Sequence, residues 1–147
     1  MDLPKDLPDH HDAELILKAY ELRREPVMRE ARQALTTNYW PLTVEEAVAP
    51  TGRDHPLNAA WRQVSGYWEM IYGMGRHGIV HADYLVENSG EGLFLYVRIE
   101  PFVKEIRAAS SPRAFLNTEW AAQETEAGRQ SMASLRSRFG LDARKRA

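Results

Sequence analysis

Large apolar residues recur at helical spacing through the middle of the chain. Leu57, Trp61, Val64, Trp68 and Ile71 fall at i, i+4, i+7, i+11 and i+14, one face of a helix that needs a partner surface along its whole length. Leu95, Ile99, Phe102 and Ile106 repeat the spacing and offer the matching stripe. Between them, Arg76-His77-Gly78 stops the first helix and Glu87-Asn88-Ser89-Gly90 marks the turn before the second. The pattern predicts an all-α fold: a single-domain bundle of about six helices with a long C-terminal helix.

The remaining elements follow from caps and prolines. Residues 1–10, with Pro4 and Pro8, read as an extended arm. A first helix starts at an Asp12 cap, runs to Glu25 and buries Leu15, Ile16, Ala19 and Leu22. Pro26 suits the first position of a second helix, which turns Val27, Ala31, Ala34 and Leu35 inward and ends near Asn38. Thr43 to Glu46 fits a capping box for a short helix ending by Pro50. The long helix then spans Asn58 to His77, and His81 or Asp83 opens a short one. Glu91 to Ala109 reads as one helix kinked at Pro101, where a backbone donor is lost.

Ser111-Pro112 opens a last helix that could continue to Phe139. From Gln123 to Gln130 it has almost nothing to bury, and then Met132, Leu135 and Phe139 restore a narrow apolar stripe with Arg136 alongside. Burial cannot hold the polar run against a bundle, so the division expected is a bundle over 11–122 and a polar helix extension with a basic tail over 123–147. Truncation after Gln123 is then expected to spare the core. Met132, Leu135, Arg136 and Phe139 become the candidate partner-binding face.

Composition narrows the classes. A chain of 147 residues, 44% hydrophobic and 27% charged, suits one globular domain. A net charge of −2 argues against coating nucleic acid by bulk electrostatics. Without cysteine there is no disulfide and no thiolate chemistry, which is compatible with a reducing cytoplasm. The acidic N-terminus lacks the pattern of a secretory signal, and no apolar run approaches the length of a membrane span. A cytoplasmic protein is expected.

No residue set specifies a reaction. His77, His81 and Asp83 are metal-competent types, but Gly78 ends the helix between the histidines and removes their shared face. Helix-dipole and capping roles fit them better, and His10-His11-Asp12 is weaker still because adjacent residues point apart. No metal, cofactor or catalytic residue is assigned. Trp61, Trp68 and Tyr72 could line a ligand pocket beside Gly66, Gly73 and Gly75, although an aromatic stripe at helical spacing is more often core. Glu69, Glu87, Glu100 and Glu105 lie nearest the expected core and read as paired structural carboxylates, with Arg76, Arg98 and Arg107 as possible partners of Glu100. Arg129, Arg136, Arg138, Arg144, Lys145 and Arg146 form a basic C-terminal segment that could contact nucleic acid, or simply complement a helix end.

Trp68-Glu69-Met70, His77-Gly78-Ile79, Glu100-Pro101-Phe102 and Glu105-Ile106-Arg107, in that order, resemble a family of short helical bacterial proteins known as a domain of unknown function. The opening Tyr20-Glu21-Leu22-Arg23-Arg24-Glu25-Pro26 is similar to its first segment, so the resemblance covers about residues 12 to 120. It implies an all-helical fold and a bacterial source, and it supplies no activity. The function expected is a non-catalytic accessory protein that self-associates or docks onto a protein partner through its C-terminal helix. A small-molecule binder with a pocket at Trp61, Trp68 and Tyr72, and a nucleic-acid adaptor using the basic tail, are the alternatives.

Overall fold

The computed structural model describes residues 5–147, and every regular element among them is helical. In chain order these are α1 (His10–Arg23), α2 (Pro26–Asn38), α3 (Val44–Val48), α4 (Asn58–Arg76), α5 (Ala82–Asn88), α6 (Glu91–Ile99), α7 (Val103–Ala109), α8 (Leu116–Glu124), α9 (Glu126–Phe139) and α10 (Leu141–Arg146). Eight have seven residues or more and two are shorter, so the expected six is an undercount. None is long and apolar enough to cross a membrane. Met1 to Pro4 of the expected arm lie outside the described residues.

α4 is the axis. Its stripe of Trp61, Val64, Trp68 and Ile71 is buried, with α2 packed on one side and α8 on the other. Trp68 stacks on Tyr72 at 5.4 Å, and α6 crosses over the pair at Gly92, where a Cβ would come within 2.6 Å of the Tyr72 ring. The partner stripe of Leu95, Ile99, Phe102 and Ile106 is buried as the spacing predicts.

Several elements depart from the sequence reading. The cap of α1 is Asp9, three residues before Asp12. Asp12 instead completes the capping box with its carboxylate on the Asp9 amide, and it is fully buried. Leu15 and Val27, expected inside, are exposed, while Met28 takes the buried position on α2. Thr43 caps α3, but Glu46 reaches the Leu42 amide rather than that of Thr43. Pro101 does not kink one helix. A 3-10 turn over Glu100–Phe102 separates α6 from α7, since proline suits the first turn of a new helix better than the interior of an old one.

The largest correction is at the C-terminus. Residues 111–139 are two helices, not one, and α9 folds back onto α8, α6 and α5. Thr125 is extended and makes the corner: its hydroxyl donates to the Ala121 carbonyl at 2.7 Å and accepts the Gly128 amide at 2.8 Å. A Cβ at Gly128 would lie 1.9 Å from the Ala121 carbonyl oxygen, so only glycine admits this approach. The polar run is therefore a tight corner, and the apolar stripe beyond it returns to the core.

Arginines close the bundle behind it. Arg98 is buried without a carboxylate partner among the described residues. It donates to the Leu35 and Tyr39 carbonyls at 2.9 and 2.8 Å, at the end of α2, and lies over the Trp40 and Phe94 rings. Burial, with Arg144 nearby, brings its pKa down to about 10. Arg144 of α10 donates to the carbonyls of Pro41, Arg98 and Phe139 and ties the last helix to the body.

Candidate functional site

Of the expected aromatic pocket, Trp61 and Gly66 border open space, a surface groove of about 240 Å³ shared with Phe115. Trp68 and Tyr72 stack against each other and are covered by Gly92, and the Trp61 ring meets Phe115 edge-on at 5.8 Å. Of the three helix glycines, Gly73 faces Asn117 and Gly75 faces Leu85, both at close range, whereas Gly66 faces open space.

A cleft lies elsewhere, where the end of α4, the start of α5 and the end of α8 converge. It has a volume of about 310 Å³ and is half-open. Its chemistry comes from Arg76, His81, Asp83, Trp120, Glu124 and Lys5. Gly75 forms part of the wall, because its missing side chain lets α5 approach α4. Gly78, in the left-handed region at φ 75°, turns the chain from α4 toward His81.

Most of these groups already hold the fold. The Lys5 ammonium lies 2.7 Å from Asp12 and 3.5 Å from Asp9. Asp12 also accepts the His81 amide. Burial raises its pKa, but the Lys5 contact and the Asp9 and His81 amides outweigh that effect and leave it below the ordinary value. His81 caps α5 by accepting the Tyr84 amide on Nδ1 at 3.1 Å, so the neutral ring carries its proton on Nε2. Asp83 accepts the Ala127 amide at 2.9 Å and so caps α9 across the chain. Arg76 and Glu124 differ: Arg76 donates to Asn117 at 3.2 Å, and neither makes an ion pair among the described residues.

The metal-competent trio is dispersed into these roles. His77 is the C-cap of α4, His81 caps α5 and Asp83 caps α9. No group of three such side chains that could hold a metal forms among the described residues. Glu69 accepts the Asn117 and Thr118 amides, and Glu100 pairs with Arg136 rather than with Arg76, Arg98 or Arg107. Glu87 and Glu105 are exposed.

The partner-binding face expected on the last helix is not free. Met132 is fully buried, and Leu135 and Phe139 pack on the core. Phe139 meets Phe94 and Trp40 at 5.1 and 5.9 Å, and Arg136 grips Glu100 with two nitrogens. Half of the basic segment is engaged as well, through Arg129 with Glu126, Arg136 with Glu100 and Arg144 with three carbonyls.

A family match falls on this framework. The model of a domain of unknown function, DUF4760, covers residues 8–125, from just before the Asp9 cap to the Thr125 corner. The chain belongs to the DUF4760 family. No curated protein and no solved structure matches it. The match supplies α1 to α8 of this DUF4760 chain, and with them every residue of the cleft except Lys5; α9 and α10 lie beyond it.

The sequence pattern points to His81 and Asp83 but not to Trp120 or Glu124, and it offers Arg76 only as a possible partner of Glu100. Their sole sequence signal is position, since Arg76 and Glu124 are the last residues of their helices.

Proposed function

We propose that this DUF4760 protein is a non-catalytic interaction protein of the bacterial cytoplasm that docks onto a protein partner or a second copy of itself. The observation that carries the reading is the outer side of α1. Ile16 and Ala19 face the bundle, yet Leu17 remains 67% exposed and Tyr20 48%, with Val27 65% exposed at the start of α2. A helix with apolar residues beyond its buried stripe has a second surface to cover. Arg23 and Arg24 lie over the Tyr20 ring at 4.9 and 5.4 Å, and tyrosine and arginine are the residue types that dominate interface energetics. The C-terminal helix then acts indirectly, by completing the body that presents α1.

The test is the double variant Leu17→Glu, Tyr20→Glu in the full chain. Both positions point outward, so the melting temperature is expected to change little. Self-association in sedimentation, or the proteins that co-purify from the native cell, is expected to be lost. Unchanged solution mass together with an unchanged set of co-purifying proteins would overturn the assignment.

A further inference from the structure

We infer that the cleft between α4, α5 and α8 binds a small zwitterion, a molecule carrying one carboxylate and one ammonium on a flat apolar body. This does not rest on the α1 surface. The geometry starts from two opposite charges that share one cleft without meeting. Arg76 brings a guanidinium, bonded only to the neutral Asn117 amide, and Glu124 an exposed carboxylate, and neither forms an ion pair among the described residues. The remaining charges there are internally matched: Lys5 is held by Asp12 and Asp9, and Asp83 by the Ala127 amide.

The placement of Glu124 sharpens the point. It is the last residue of α8, where the helix dipole disfavours a negative charge, and the last turn of the helix carries no basic residue to offset it. Arg76 ends α4, where the dipole favours a cation, and its planar fork suits a carboxylate. His81, with Nδ1 engaged on the Tyr84 amide, keeps an Nε2 proton to offer beside it. Trp120 and Val80 supply the apolar wall. The volume of about 310 Å³ sits at the lower end of what holds small organic ligands. A purely anionic ligand would leave Glu124 opposed, and a purely cationic one would leave Arg76 opposed; a dipolar ligand satisfies both.

Three probes separate the possibilities: L-phenylalanine, 3-phenylpropionate, which lacks the ammonium, and phenethylamine, which lacks the carboxylate. Each is titrated into the full chain while backbone amide resonances are followed by NMR. L-phenylalanine is expected to shift amides of residues 75–83 and 120–125, with both truncated probes at least about tenfold weaker. Arg76→Gln should weaken L-phenylalanine and the acid but not the amine, and Glu124→Gln should do the reverse. Should Arg76→Gln fail to fold, the exposed Glu124→Gln decides alone. Absence of shifts with millimolar L-phenylalanine, equal affinity for the three probes, or binding untouched by Glu124→Gln would each overturn the proposal.

Discussion

The Glu69 carboxylate holds Thr118 twice, accepting its backbone amide at 2.7 Å and its hydroxyl at 2.6 Å, and takes the Asn117 amide at 2.9 Å as well. α8 has no cap of its own: Phe115, at its entry, is buried in the left-handed region with φ 59°. The first turn of α8 is therefore capped by a side chain of α4, and two helices far apart in sequence are fixed in register by it.

Glu69→Ala removes that cap and strands two helix amides. The expected loss is about 2–3 kcal/mol, measurable by denaturant unfolding, with faster hydrogen exchange at Thr118 than at α2 amides. Equal exchange at both would mean that water replaces the carboxylate without cost.

Trp68 is 3% exposed and stacks on Tyr72 at the centre of α4. Trp68→Ala is expected to destabilise by about 3–5 kcal/mol in thermal melts, because the cavity cannot collapse between two packed helices. A shift typical of a surface substitution would contradict this placement.

Two glycines should respond to alanine with opposite signs. At Gly128 a Cβ meets the Ala121 carbonyl oxygen at 1.9 Å, so Gly128→Ala must open the α8–α9 corner and lower the melting temperature. At Gly66 nothing lies within 4 Å, so Gly66→Ala should gain about 0.5–1 kcal/mol from helix propensity. The same sign at both positions would refute the corner geometry.

Truncation after Gln123 now carries the opposite expectation from the one its polar composition suggests. Removing Met132, Leu135 and Phe139 uncovers α6 and α8, and removing Arg144 frees the Pro41 and Arg98 carbonyls. The truncated chain is expected to be strongly destabilised in circular dichroism melts, and a near-native melt would show that α9 is dispensable.

Asp12 gives the chain an acid-sensitive joint. Its carboxyl is held below the ordinary value of 3.8, so its stabilisation is complete above that pH and is lost as pH falls through the lower folded value. Asp12→Asn should flatten the stability profile on the acid side of about pH 4, while lowering stability at pH 7. Parallel profiles for the two proteins would place the acid sensitivity elsewhere.

Helices, their partner stripes and most of their ends were legible from local pattern alone. Pro26 opens α2, Asn58 opens α4, and Trp68 lies in the core, because spacing, caps and proline geometry are properties of neighbouring residues. What the local pattern misjudged is where chain direction reverses. A polar run with a glycine reads the same whether it projects into solvent or bends over a carbonyl, and only the contact between Gly128 and Ala121 distinguishes the two. Leu15 and Val27 likewise carry the right hydrophobicity on the wrong side of their helices, since rotation about a helix axis is set by the neighbour it packs on. The cleft follows the same logic: Arg76 and His81 come from one stretch and Trp120 and Glu124, four apart on α8, from another about forty residues later. The sequence by itself determined where most helices begin and which stripes of α4, α6 and α7 are apolar. Only the tertiary structure decided which face is covered, which carboxylate caps which helix and which charges share the cleft, because those outcomes depend on distances between residues that no local pattern encodes.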